Sequence, residues 1–117
     1  MSPIQRHDTS VRMSHIVVHN GTAYLAGAVA QDYSGDITQQ TIEALADVEN
    51  SLDRIGSSKS RLLNAQIWLR DIARDFDAMN AVWENWLPAG TAPARATGEA
   101  RMAAPGILVE VIVTAAV

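Results

Sequence analysis

Apolar and polar positions divide the chain into segments of two different periods. "MSHIVVHNGTAYLAGAVA", residues 13–30, reads as two strands around "HNG". Asn20-Gly21 is a strong hairpin signal, because both central positions of a type I′ turn need positive φ. From Thr38 to Ile55 the period becomes helical, with Ile42, Leu45, Val48, Leu52 and Ile55 three or four apart. Asp36 or Thr38 can cap its start and Gly56 can end it. "RLLNAQIWL" then alternates, with Leu63, Ala65, Ile67 and Leu69 on one face. "DIARDFDAMNAVWENW" returns to helical spacing through Phe76, Met79, Val82, Trp83 and Trp86, with Asp71 or Asp75 as the cap. "ARATGEARM" and "ILVEVIVTAAV" read as two closing strands separated by the turn "AAPG". The predicted order is β-β-β-α-β-α-β-β, a single α+β domain over residues 1–117.

Two helices can cover one face of such a sheet. Tyr24–Ala30 and Ile107–Val117 are nevertheless apolar at both odd and even positions, the mark of strands buried on both sides. The 117 residues leave no further element to cover the second face, so another copy of the chain is expected to do so. Interfaces of that kind leave concave space for small molecules.

Composition narrows the chemistry. Apolar residues are 48% of the chain and charged residues 19%, as in a packed globular domain. The net charge of −4 and the scattered arginines argue against nucleic-acid binding, which needs a concentrated basic footprint. The lack of cysteine excludes disulfides, thiolate zinc sites and a cysteine nucleophile. No stretch approaches the roughly 18 apolar residues of a membrane span, and "MSPIQRHDTS" has no signal-peptide h-region. A soluble cytoplasmic protein without membrane or nucleic-acid partners is expected.

Against the apolar background two charges stand out. Glu110 sits mid-strand in "ILVEVIV", where an unpartnered carboxylate costs several kcal/mol or becomes neutral. It therefore has a cationic or hydrogen-bonding partner, or lines a solvent-filled cleft. Arg95, in "APARATGEA", has no acidic residue within three positions on either side. If the closing strands are adjacent, the two side chains can reach one cleft. Two readings stay open: a structural Arg–Glu pair, or an arginine that grips a substrate carboxylate beside a glutamate that handles water. Arginine suits the grip because its planar fork takes a carboxylate bidentately. His15 and His19 are four apart, about 13 Å along a strand, too far for one metal ion. They and His7 read as surface or satisfied histidines, with His15 at the start of a strand that approaches the cleft. Met79, Trp83 and Trp86 read as core or subunit interface.

"NGTAYLAGAV", the "DFDAMNAVW" helix, "PAR" and "VEV" stand in an order and spacing that resembles the Rid (YjgF) family, the enamine/imine deaminases. The resemblance runs from about Met13 to the C-terminus. Its most specific part is "PAR" followed fifteen residues later by a strand glutamate, behind the "F-x-x-M-N" helix. It implies a chorismate-mutase-like α+β domain, a homotrimer with clefts between adjacent subunits, and cofactor-free hydrolysis of reactive 2-imino acids and enamines to 2-keto acids and ammonia. Carried over by position, Arg95 resembles the arginine that holds the substrate carboxylate, and Glu110 the glutamate that orients or activates water. Asn80 resembles the asparagine of the helix motif and Gly27 the glycine of the "SGQ" strand end. Thr97 stands where many members have a cysteine and a backbone contact to ligand. Met13 and His15 replace the aromatic and the glutamine of "PYSQ", Ala26 and Ala28 flank Gly27, and Gly98 replaces a β-branched residue. This altered rim implies a subgroup with its own preference among imino acids. The alternative is a non-catalytic module that holds keto acids or other small carboxylates on the same scaffold.

Overall fold

The computed structural model describes residues 2–117. Its first hairpin is the one that Asn20-Gly21 dictates: these residues take φ of 52° and 76° and join β2 (Ile16–His19) to β3 (Thr22–Leu25). A strand β1 (Gln5–His7) pairs antiparallel with β2, from a stretch that carries no alternation to mark it. Helix α1 (Ile37–Arg54) is capped by Asp36, whose carboxylate accepts from the Gln39 N–H at 2.9 Å, and Gly56 follows its end at φ 75°. A short 3₁₀ turn leads into β4 (Leu62–Leu69). Helix α2 (Ile72–Trp86) starts at Asp71, which accepts from the Arg74 N–H. β5 (Ala94–Glu99) and β6 (Val109–Ala116) complete one six-stranded sheet in the order β1-β2-β3-β6-β4-β5.

The two closing strands are not neighbours, contrary to the pattern-based expectation. β4 and β5 pair in parallel, the arrangement that a crossover through α2 produces. β5 therefore emerges on the outer edge. Residues 100–108 carry the chain back, and β6 enters between β3 and β4. That central slot suits it, because Val109, Val111, Val113 and Ala115 are all buried.

Both helices pack on one face. Leu45, Val48 and Leu52 of α1 and Met79 and Trp83 of α2 meet Ala23, Leu25, Ala65, Ile67 and Leu69 from the sheet. In β4 the register shifts between Leu62 and Asn64, so Leu62 takes the buried place and Leu63 is left 50% exposed. The alternation is thus right from Ala65 onward and wrong at Leu63, where a bulge flips the side chain. Tyr24–Ala30 does not continue as a strand past Leu25. Beyond it, Ala28 and Val111 exchange two backbone bonds of 2.8 and 2.9 Å in an isolated bridge.

The opposite face bears no helix among the described residues. Its central rows are Asn64, Gln66 and Trp68 of β4 and Glu110, Ile112, Thr114 and Ala116 of β6, with Tyr24 half exposed. The second face is therefore mixed rather than uniformly apolar.

Candidate active site

Arg95 lies opposite Ala65 in the β4–β5 ladder. Cross-strand partners share a face, and Ala65 is fully buried beneath the helices, so Arg95 projects toward the helix side. There α2 presents Asn80 and Trp83, three residues apart on one helix face. The Arg95 Nη1 donates to Asn80 Oδ1 at 2.8 Å, and the guanidinium carbon lies 5.7 Å from the Trp83 ring centroid. Among the described residues no carboxylate lies within ion-pair distance of Arg95. The cation is held by a neutral amide and an aromatic face, which leaves most of its five N–H donors free. Two positions along the same strand, Thr97 pairs with Ile67 and shares that face. Its Oγ1 is buried with no hydrogen-bond partner among the described residues. Such an orphan costs about 1–3 kcal/mol.

Glu110 faces the other way. Its ladder partner is Trp68, three residues from Ala65, and an odd interval along a strand changes face. The Glu110 side chain rests on Gly27. A Cβ built at Gly27 would overlap Glu110 Oε2 and come 2.8 Å from Cδ, so only glycine admits the carboxylate here. Trp68 leans over β5 in the same manner: a Cβ at Gly98 would meet its Cζ3 at 2.8 Å. The glycine that looked misplaced in a strand is the bed of an indole.

The carbonyl of His15 accepts from the Ala26 N–H and its own N–H donates to the His7 carbonyl, both at 2.9 Å, which sets His15 beside the Gly27 segment. Met13, 47% exposed, lies in the preceding loop, where its carbonyl accepts from the Ser10 N–H at 2.8 Å. At the root of that loop Arg54 Nη1 donates to Asp8 Oδ2 at 2.7 Å. That bond is the main cause that holds the Asp8 carboxyl below its ordinary range, against the opposing effect of burial and with further help from the charges of Arg54, His15 and His7.

Within one chain Arg95 and Glu110 do not share a cleft. β4 separates them; they stand about 10 Å apart across the strands and about 10 Å along them, on opposite faces. A structural Arg–Glu pair inside the chain is excluded by the same geometry. The sequence-derived residues instead fall into two groups. Arg95, Thr97 and Asn80 form a cationic cluster on the helix side of the edge strand. Glu110 and Gly27 form a carboxylate corner on the open face, with His15 next along the chain pairing. Trp83 is an addition: helical spacing identifies it as core, and its second role as the platform under Arg95 shows only once β5 is placed. Among the described residues, no three His, Asp or Glu side chains are grouped as metal ligands. No helix among them is long and apolar enough to cross a membrane.

The family model described as "Endoribonuclease L-PSP" matches residues 3–117. A RutC family protein of Haemophilus ducreyi is 40% identical over 114 residues, covering 97% of each chain. The chain belongs to the YjgF/RutC family. A second relative, the RutC family protein YoaB of Escherichia coli, is 41% identical over 97% of this chain and 98% of its own. The crystal structure of a YjgF family member from Neisseria meningitidis superposes with a TM-score of 0.92 at 40% identity, covering 97% of this chain and 94% of that one. A structure described as a putative translation initiation inhibitor from Salmonella typhimurium gives 0.88 at 41% identity over 97% of both. The YjgF/RutC fold is thus shared from end to end, while the names of its members span several activities.

Proposed function

We propose that this YjgF/RutC protein hydrolyses reactive 2-imino acids and their enamines to 2-keto acids and ammonia, without a cofactor, as a cytoplasmic homotrimer with its active sites between copies. The observation that carries the reading is the division of the site. An arginine and a glutamate, each without an oppositely charged partner among the described residues, stand on opposite faces of one sheet. They converge only if the helix-side cluster of one copy meets the open face of the next. Cyclic, head-to-tail assembly joins two different patches in that way.

In this reading Arg95 takes the substrate carboxylate bidentately, with Thr97 supplying a further polar contact and Asn80 and Trp83 holding the guanidinium. Gly27, Met13 and His15 line the facing wall. A protonated imine carbon is already electrophilic, so the protein supplies position and water rather than a nucleophile. Glu110 takes a proton from water as its oxygen bonds to the imine carbon, giving a carbinolamine. Glu110 returns that proton to the amino group, and the C–N bond breaks with its electron pair leaving on nitrogen. The hydroxyl gives up its proton to water as it becomes the carbonyl, so ammonia departs from the keto acid. A positioned general base supplies about 10²–10⁴-fold.

Imino acid generated by an amino-acid oxidase provides the assay, read as the rate of imine loss. Arg95→Ala and Glu110→Gln are each expected to lower that rate about 100-fold or more. Equal rates for wild type and Arg95→Ala would refute the enzyme. Co-expressing the two variants tests the division between copies: in random trimers roughly a quarter of sites receive both intact residues, and activity returns to that level. The rival reading, a carboxylate-binding module, draws on the fact that Arg95 and Asn80 are already joined within one chain. It predicts keto-acid binding in Glu110→Gln and wild type alike, with no imine turnover in either.

A further inference from the structure

Gln40, early in α1, is fully buried, an unusual place for an amide. The two N–H groups of its Nε2 are shared among the carbonyls of Tyr33, Gly35 and Gly106 at 3.2, 3.1 and 2.9 Å, and its Oε1 accepts from the Leu108 N–H at 2.9 Å. One side chain thereby ties the loop at residues 31–36 to the loop at residues 104–108. The loops are also in close contact, since a Cβ at Gly106 would lie 2.8 Å from the Tyr33 Cβ.

Both loops lead into the Glu110 corner. The first follows the segment that carries Gly27, the glycine under the carboxylate. The second ends two residues before Glu110. On the far side of Glu110, Val111 is bonded to Ala28 in both directions. Glu110 is therefore fixed between a residue tied to Ala28 and a residue tied to Gln40. We infer that Gln40 is a positioning residue for Glu110: it sets the distance between β6 and the Gly27 segment, and so holds the carboxylate over Gly27. Its kinetic consequence rests on the proposed role of Glu110; its structural consequence does not.

The competing explanation is that Gln40 only satisfies loop backbone groups, so that its loss lowers stability and nothing else. Thr41 supplies the control. It is equally buried and donates to the Ile37 carbonyl at 2.7 Å, within its own helix. In Gln40→Leu and Gln40→Glu the Glu110 carboxyl carbon, followed by carbon-13 NMR at neutral pH, is expected to move away from its wild-type resonance as the carboxylate leaves its seat over Gly27. In Thr41→Ala it keeps the wild-type resonance. A wild-type resonance in both Gln40 variants would overturn the assignment, whatever the stability change. In turnover, Gln40→Leu is expected to lower kcat about 10–100-fold with KM within about twofold.

Subunit mixing gives an independent readout. Gln40→Leu mixed with Arg95→Ala recovers activity, because the damage lies in different clusters. Mixed with Glu110→Gln it does not, because both lesions lie in one. Recovery in both mixtures would place Gln40 outside the Glu110 corner and overturn the inference. Failure of the Arg95→Ala and Glu110→Gln control mixture would instead refute the two-copy site, and the Glu110 carboxyl resonance would then decide the role of Gln40 alone.

Discussion

The two clusters are held by different kinds of support. Arg95 is positioned by side chains, both on α2: the Asn80 amide and the Trp83 ring, the latter anchored in the core. Glu110 is positioned by backbone: a glycine beneath it, a bridge at Val111 and a loop bonded at Leu108. A side-chain cradle tolerates graded change, since a smaller ring still offers a face. A backbone seat does not, since the first added carbon already collides.

That contrast sets the size of the expected effects. Gly27→Ala is the severe case. The methyl displaces the Glu110 carboxylate, so kcat is expected to fall about 100-fold while keto-acid binding, measured calorimetrically, changes by no more than about twofold. An unchanged kcat would show that the carboxylate does not work from its position over Gly27. Trp83→Leu is intermediate. Removing the ring is expected to weaken keto-acid binding about 5–10-fold and to cost about 3 kcal/mol of stability from the lost core volume. Trp83→Phe should retain most of the affinity. Added to Arg95→Ala, Trp83→Leu should bring no further loss of binding, as for a residue that acts through the guanidinium.

Acid should separate the clusters gently. Asp8, held below its ordinary 3.8 by the bond from Arg54, roots the loop that bears Met13 and His15. Glu43 is held below 4.5 by the Gln39 side chain and by the Asp32 and Gln31 N–H groups, and so fastens the loop after Gly27. A lowered carboxyl pKa stabilises the fold in full above the ordinary value and is lost as the pH falls through the lowered one. Acidification through that window should therefore first loosen the loops that these carboxylates tie to α1, those beside the Glu110 corner. Amide exchange corrected for intrinsic rates should show Gln31, Asp32 and residues 8–15 opening before β5. Opening of β5 at the same pH would erase the asymmetry.

What could be read from the chain was local. Asn20-Gly21, Asp36 and Asp71 act within a few residues, and each does what its chemistry requires. Arg95 and Glu110 were legible as charges in apolar strands, and Gly27, Asn80 and Thr97 through the family resemblance. Their faces were not legible, because these depend on a register across β4, which lies between them in the sheet and thirty residues earlier in the chain. "AAPG" has hairpin chemistry, yet the parallel crossover had already sent β5 to the edge. Leu63 obeys its pattern and is exposed because the bulge precedes Asn64. Trp83 and Gln40 gave no distinguishing signal: a core aromatic and a helix glutamine look the same whether or not they support something else.

The sheet between Arg95 and Glu110 acts as an insulator. In a chain folded by itself, a guanidinium and a carboxylate within reach of each other would close into an ion pair and fall silent. Here the backbone of β4 stands between them, so neither charge can be quenched by the other. Each stays available for whatever arrives from outside its own chain.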